Sequence, residues 1–349
     1  MLRLRQLRQR IRVRDRLPVW GLRVLLGAIL LTLSELVMWQ NPPARSLLDW
    51  LVLLILYIGL AAILMDLVVR YQVRDPATLI LISGIYGLVS STIISHSAFD
   101  NIAAGPYGLL VRGLGLQTAA GLYGLLFFIV VMRGKQTEPL QAFGAAAIGL
   151  LWGIWVHWYP IQEKVNWGLV PIETASLYMI VALIFVGVLV AVVVPRFRTF
   201  AELKFQLEWW EAIVAGLPLF IALLIGMLQN IIPFVWLLVL VAVGAFIVWA
   251  LHNQRQGTDP SILAEITFAA PNILTYILLS VTFFVAGGLA YNLVANKDSV
   301  AGIIVYWIAF AFGTFGLPAA SLMIFWRVFK AQTAPVTLQD LMDDEGDDD

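Results

Sequence analysis

The chain lacks cysteine, carries little charge and has no hydrophilic segment large enough to form a separate domain. With no cysteine among 349 residues, disulfides, thiolate metal ligands, iron–sulfur clusters and a cysteine nucleophile are all excluded. Only 13% of the residues are charged, against about 25% in soluble domains, and 61% are hydrophobic. There is no P-loop, so ATP hydrolysis is not expected. This composition indicates a membrane protein.

Ten apolar stretches of about twenty residues fill the chain almost end to end. A bilayer core of about 30 Å needs about 20 helical residues, and each crossing must satisfy its own backbone hydrogen bonds. The sequence therefore predicts an all-α polytopic membrane helix bundle forming a single transmembrane domain over 17–329. The predicted spans 1 to 10 are 17–39, 47–69, 77–96, 109–132, 140–160, 174–194, 209–229, 231–251, 272–295 and 301–326.

Basic residues collect in alternate connections between the spans. With the N-terminus inside, eighteen of the 22 Lys and Arg residues face the cytoplasm, and the outer side receives only Arg45, Arg112, Lys164 and Lys297. This positive-inside bias predicts that both termini lie in the cytoplasm and that the protein resides in the cytoplasmic (inner) membrane.

Both ends of the chain are highly charged. Seven arginines lie within 3–16, with Leu4, Leu7 and Ile11 at helical spacing among them, so residues 1–16 are predicted to form a basic interfacial segment on anionic lipid rather than to bind nucleic acid. A second interfacial helix is predicted at 199–211. Residues 330–349 hold a block of acids and are predicted to be a disordered tail.

The polar residues that could carry chemistry gather at the outer ends of spans 1, 3, 4 and 5. A histidine near a carboxylate could act as a general base or join a metal site, and an arginine could hold a phosphate or carboxylate. The same side chains could instead pair structurally with one another. We predict a ligand-binding cluster, without metal or cofactor, formed by Glu35, His96, Asp100, Asn101, Arg112 and His157. His96 and Asp100 would share one face if the helix of span 3 continued through them.

The middles of the spans contain no acidic or basic side chain. Ser90, Gln117, Thr118 and Thr314 are among the few polar residues there, which counts against ion-coupled transport through a midplane carboxylate. Glycines in spans 3 to 5 predict a tightly packed three-helix unit. Pro318, after Gly313 and Gly316, predicts a kink or interruption in span 10.

The sequence favours a permease-like or channel-like protein for a small molecule or lipid. Two alternatives stay open: an integral membrane enzyme acting on a lipid or lipid-linked substrate at the outer face, and a structural or accessory subunit of a membrane complex. The expected partners are membrane lipids, together with protein partners or further copies of the chain in a homo-oligomer.

Overall fold

The computed structural model describes residues 2–99, 105–133, 139–162, 168–197, 205–253, 261–263, 273–295 and 300–333. Within these ranges the chain forms helices joined by short connections and no strands. Spans 1, 3 and 4 each contain a π-helical segment. Span 1 comprises Leu2–Leu31 and Thr32–Val37, span 3 comprises Pro76–Val89 and Ser90–Ile94, and span 4 comprises Gly105–Gly108, Leu109–Gln117 and Thr118–Arg133.

The other spans are single helices, and a short 3₁₀ turn at Pro42–Ala44 lies between spans 1 and 2. In chain order they are Leu47–Arg70, Pro139–Gln162, Ile172–Phe197, Trp209–Leu228, Phe234–Asn253, Ile273–Ala295 and Val300–Thr333. Ten helices in the described ranges are long and apolar enough to cross a membrane. This confirms the predicted helical bundle, and the chain is a multi-pass membrane protein.

Spans 1 to 4 form the interior of the bundle. In their most apolar stretches 61–83% of the residues are buried inside the protein, whereas in spans 6 to 10 the share is 17–28%. The later spans are apolar all round and expose large side chains such as Val181, Phe220 and Leu238, as helices do when they contact lipid. Most of the buried polar side chains among the described residues belong to these four interior helices.

The glycines of span 5 pack against span 9. Gly149 lies against the backbone carbonyl of Phe283, and Gly153 lies against that of Gly287. The missing side chains let the two backbones approach closely, as GxxxG faces do in membranes. The predicted unit of spans 3 to 5 is therefore wrong for span 5, because its glycine face is turned toward span 9. The glycines of spans 3 and 4 do pack together, with Gly87 against Gly113.

Span 10 is one continuous helix from Val300 to Thr333 with Pro318 inside it, so the predicted interruption does not occur. Its Gly313 lies against the carbonyl of Leu110 in span 4, and Gly115 of span 4 lies against the carbonyl of Ala309. Gly313 thus serves helix contact rather than a break, whereas Gly316 lies against Phe312 of its own helix.

One prediction for the polar connections differs from the structure, and the interfacial position of residues 1–16 stays a prediction. The first helix runs from Leu2 to Leu31, and Leu, Arg and Gln are all good helix formers. Residues 205–208 are not helical, so the interfacial helix predicted at 199–211 is wrong there. The Leu207 N–H donates to Asp66 of span 2 (2.8 Å), which fixes this stretch outside a helix. Residues 199–204 and the acidic tail from 334 onward lie outside the described residues.

A buried ion pair joins span 1 to the N-terminal end of span 7. Arg23 Nη1 lies 2.9 Å from Glu211 Oε1, and both side chains are fully buried. The Trp20 indole N–H donates to the same oxygen (3.0 Å), and Arg16 binds Glu208 (2.7 Å). Two cations thus face two carboxylates, so the pairing attaches span 7 to the interior bundle without leaving a net buried charge.

We expect Glu211→Ala to destabilise the protein strongly, because Arg23 would remain buried without its counter-ion. Breaking a buried pair in this way costs about 3–5 kcal/mol. Thermal unfolding in detergent would show a large fall in Tm for Glu211→Ala and little change for Glu173→Ala, an exposed acid at the start of span 6. Equal Tm values for the two variants would contradict the role given to this pair.

Candidate functional site

Glu35 lies in the π-helical end of span 1 with its side chain fully buried. Arg45, in the connection to span 2, places Nη2 2.5 Å from Glu35 Oε2, and the Tyr57 hydroxyl of span 2 donates to Oε1 (2.8 Å). The Arg45 side chain is 19% exposed. The carboxylate therefore has one positive partner that reaches the surface and one hydroxyl donor inside the bundle.

Tyr57 connects Glu35 to a larger group of buried polar side chains. The Ser90 hydroxyl lies 3.1 Å from the Tyr57 hydroxyl and 3.1 Å from that of Ser34. Ser34 in turn donates to Gln117 Oε1 (2.6 Å) and bonds the hydroxyl of Tyr86. We call this group the polar cluster: Ser34, Glu35, Tyr57, Tyr86, Ser90 and Gln117. It joins spans 1, 2, 3 and 4, and every member is buried.

The three π-helical segments found in the described ranges coincide with this cluster. The first, Thr32–Val37, holds Ser34 and Glu35; the second, Ser90–Ile94, begins at Ser90; and the third, Leu109–Gln117, ends at Gln117. Their backbone bonds span five residues, as in Gln40 N–H to Glu35 O (2.9 Å) and Ser95 N–H to Ser90 O (2.8 Å). π-Helical segments are rare and are frequently found at functional sites, so their coincidence with the cluster marks it as the candidate site.

His96 lies beyond the end of span 3 rather than on it. The helical segment ends at Ile94, and His96 has a left-handed backbone with φ of 55°. Its imidazole lies against Gly226 of span 7. The helical face that His96 and Asp100 would share does not form, because the helix ends first. Asp100 and Asn101 lie outside the described residues.

Arg112 and His157 have neighbours of their own. Arg112 Nη1 donates to the Ser97 carbonyl (2.7 Å), and its guanidinium lies 5.2 Å from the centre of the Tyr159 ring. His157 meets the ring of Tyr291 edge-on at 5.0 Å. Of the predicted outer-cluster residues that the structure describes, only Glu35 belongs to the polar cluster. The ligand-binding role of all six residues stays a prediction.

The described ranges hold no group of three His, Asp or Glu side chains placed to share a metal ion. The polar cluster offers one carboxylate, one amide and four hydroxyls. These groups can exchange hydrogen bonds with one another around a single carboxylic acid, Glu35.

Sequence reasoning missed Ser34, Tyr57 and Tyr86 as cluster members. Tyr57 lies in the run LLILYIGL. Because its neighbours are all apolar, the sequence gives no sign that its hydroxyl has a buried polar partner. Ser34 directly precedes Glu35, and that adjacency was the available signal, since a serine and an acid together in an apolar helix need partners from neighbouring helices.

A cavity lies between spans 1, 4, 5, 6 and 9. It contains about 580 Å³ including its open side. Its walls include Ile29, Leu33, Val37, Phe127, Ala145, Ile148, Met179, Leu183, Val186, Leu279 and Phe283. Several lining residues, among them Phe127, Ile148 and Leu183, are only half-buried, so the cavity opens at the side of the bundle.

Three of the four hydroxyls at the cavity wall donate to backbone carbonyls, and the fourth is that of Tyr123. Thr32 donates to Ala28 O (2.8 Å), Ser280 donates to Tyr276 O (2.9 Å), and the Tyr276 hydroxyl donates across to Leu183 O (2.6 Å). These three hydroxyls are thus already used in holding the helices. The wall presents an essentially apolar surface.

The π-helical segment Thr32–Val37 separates the cavity from the polar cluster. Thr32, Leu33 and Val37 line the cavity, and Ser34 and Glu35, between them in sequence, belong to the cluster. One short segment therefore contacts both sites.

No protein-family profile matches the chain, and no curated protein or solved structure is significantly similar to it. Any functional conclusion depends on the geometry of the cluster and the cavity.

We expect Tyr57→Phe to lower stability although it removes only a hydroxyl. The substitution takes a donor from the buried Glu35 carboxylate, and leaving such a group unsatisfied costs about 1–3 kcal/mol. Thermal unfolding in detergent measures the effect. Thr282→Val, which removes an exposed hydroxyl bonded within its own helix, should leave Tm unchanged. A Tyr57→Phe protein as stable as this control would show that the cluster contributes no stability.

Proposed function

We propose that the chain is a permease-like membrane protein that binds a lipid, or another molecule with a hydrocarbon chain, in the cavity between spans 1, 4, 5, 6 and 9. The observation that carries this proposal is the position of the opening. It lies at the side of the bundle, where a molecule dissolved in the bilayer could enter directly.

The chemistry of the wall supports an apolar ligand. A polar solute would lose its hydration in a cavity where three of the four hydroxyls already donate to backbone carbonyls, and the Tyr123 hydroxyl alone would replace few of the lost hydrogen bonds. A hydrocarbon chain loses nothing on leaving the bilayer and gains close contacts.

The lining also favours binding over the alternative functions. No Asp, Glu, His, Lys or Arg is among the lining residues, so the cavity itself lacks the acid or base that an enzyme would need. A purely structural bundle would be more stable with the space filled, because cavities cost packing energy.

The test is transfer of fluorescent phosphatidylcholine between leaflets of proteoliposomes, followed by chemical quenching from outside. We expect the wild-type protein to accelerate transfer over protein-free liposomes. Ala145→Phe, which projects a ring into the cavity, should return transfer to the protein-free rate. Ala147→Phe, on the exposed face of the same helix, should remain active.

Electron paramagnetic resonance of phosphatidylcholine spin-labelled on an acyl chain measures binding separately. We expect an immobilised component that Ala145→Phe removes and Ala147→Phe retains. Immobilised lipid without transfer would overturn the permease function and leave a lipid-binding subunit. Loss of neither signal in Ala145→Phe would overturn the cavity as the ligand site.

A further inference from the structure

We propose that Glu35 is a proton-binding site, that its proton exchanges with water at the Arg45 end of span 1, and that proton occupancy is coupled to ligand occupancy of the cavity. The coupling rests on the proposed permease function, whereas the proton site does not. A midplane carboxylate is missing, but the hydrogen bonds of the polar cluster extend from Glu35 to Ser90 and Gln117 at mid-depth.

The charges around Glu35 permit either protonation state. Among the described residues, the cation that contacts Glu35 is Arg45, whose charge also acts on Asp49 at the start of span 2. Arg112, in the same segment as Gln117, donates to the Ser97 carbonyl instead, and the nearby tyrosines are Tyr57, Tyr86 and Tyr178. Tyr57 touches the carboxylate directly, Tyr86 bonds Ser34, and Tyr178 meets Trp39. A buried carboxylate is costly in a membrane unless it is paired, and here a single partly exposed arginine pairs it.

The hydroxyls of the cluster can satisfy both states without moving heavy atoms. With Glu35 ionised, Tyr57 donates to it and Ser90 donates to Tyr57. With Glu35 protonated, its O–H donates to Tyr57, Tyr57 donates to Ser90, and Ser90 donates to Ser34. Ser34 donates to Gln117 in both arrangements. Each hydroxyl is donor and acceptor, so rotation of the O–H bonds reverses the chain, and no buried group loses its partner.

The proton enters and leaves at the end of span 1 where Arg45 lies. The Arg45 side chain also donates to the Gln40 carbonyl (3.2 Å from Nη2) and lies 5.7 Å from the centre of the Trp50 ring. These contacts hold Arg45 at the surface when Glu35 becomes neutral and the ion pair is lost. A hydronium ion at this end gives a proton to Glu35 Oε2, and a half-turn of the carboxyl group, which exchanges the two oxygen positions, brings the O–H to Tyr57. The reverse steps return the proton to water. The sequence predicts that this end faces outside.

The π-helical segment supplies the coupling. Leu33 and Val37 touch the cavity while Ser34 and Glu35 join the cluster, and rigid peptide units connect them. A ligand that displaces Leu33 or Val37 therefore changes the position of Glu35 relative to Arg45 and Tyr57. Since coupling between two sites is reciprocal, protonation of Glu35 must then change the affinity of the cavity.

Infrared difference spectroscopy of the full-length protein in phosphatidylcholine liposomes tests the proton site. On acidification we expect a carboxylic-acid C=O band from a buried group. The band should be absent in Glu35→Gln and retained in Asp49→Asn, which removes an exposed acid at the same end of the bundle. Tyr57→Phe should shift its frequency, because the acid loses its hydroxyl partner. If Glu35→Gln does not fold, the frequency shift in Tyr57→Phe tests the assignment of the band to Glu35 by itself, and an unshifted band would overturn that assignment.

The spin-labelled phosphatidylcholine signal tests the coupling. We expect the immobilised fraction to differ between alkaline and acidic buffer in the wild-type protein and to be independent of pH in Glu35→Gln. If the carboxylic-acid band assigned to Glu35 is missing, the proton site is overturned, whatever the lipid-binding measurement shows. A band without pH-dependent lipid binding would overturn the coupling only. A band without any lipid binding would refute the permease proposal and leave the proton site standing.

Discussion

A charged or polar side chain inside a bilayer must find its partner within the protein, and span 1 meets this constraint at both of its ends. At one end Arg23 pairs with Glu211 of span 7. At the other Glu35 pairs with Arg45 and Tyr57. Because unpaired groups at this depth are so costly, these contacts fix span 1 against its neighbours, and the other interior helices assemble around it.

The two ends of span 1 solve the same problem differently. The Arg23–Glu211 pair is fully buried and joined by further ions and an indole N–H, which suits a permanent attachment between helices. Glu35 has a partner that is partly exposed and a chain of hydroxyls that can reverse direction. The first arrangement is structural, and the second can change state. The π-helical segment Thr32–Val37, which contains Glu35, also lines the cavity, so Glu35 and its partners lie next to the cavity.

The sequence was sufficient to predict the fold class and the spans, because twenty-residue apolar runs and alternating basic connections report directly on membrane crossing. The polar cluster was only partly predictable. Glu35 was identified as an intramembrane acid, but its partners Tyr57 and Tyr86 lie in apolar runs where periodicity gives no hint of their hydroxyls. His96 was misplaced on a helix because helix ends are poorly encoded. The sequence did not predict that spans 5 and 9 pack together. Contacts between helices depend on tertiary packing, which cannot be read from one sequence.

The central claim is that filling the cavity and protonating Glu35 are linked through Thr32–Val37. The most direct measurement is the number of protons exchanged when a lipid ligand is added to the protein in weakly buffered detergent. Linkage predicts uptake or release of up to about one proton per protein near the pH where Glu35 titrates, and no exchange in Ala145→Phe. Lipid binding with no proton exchange at any pH would contradict the account.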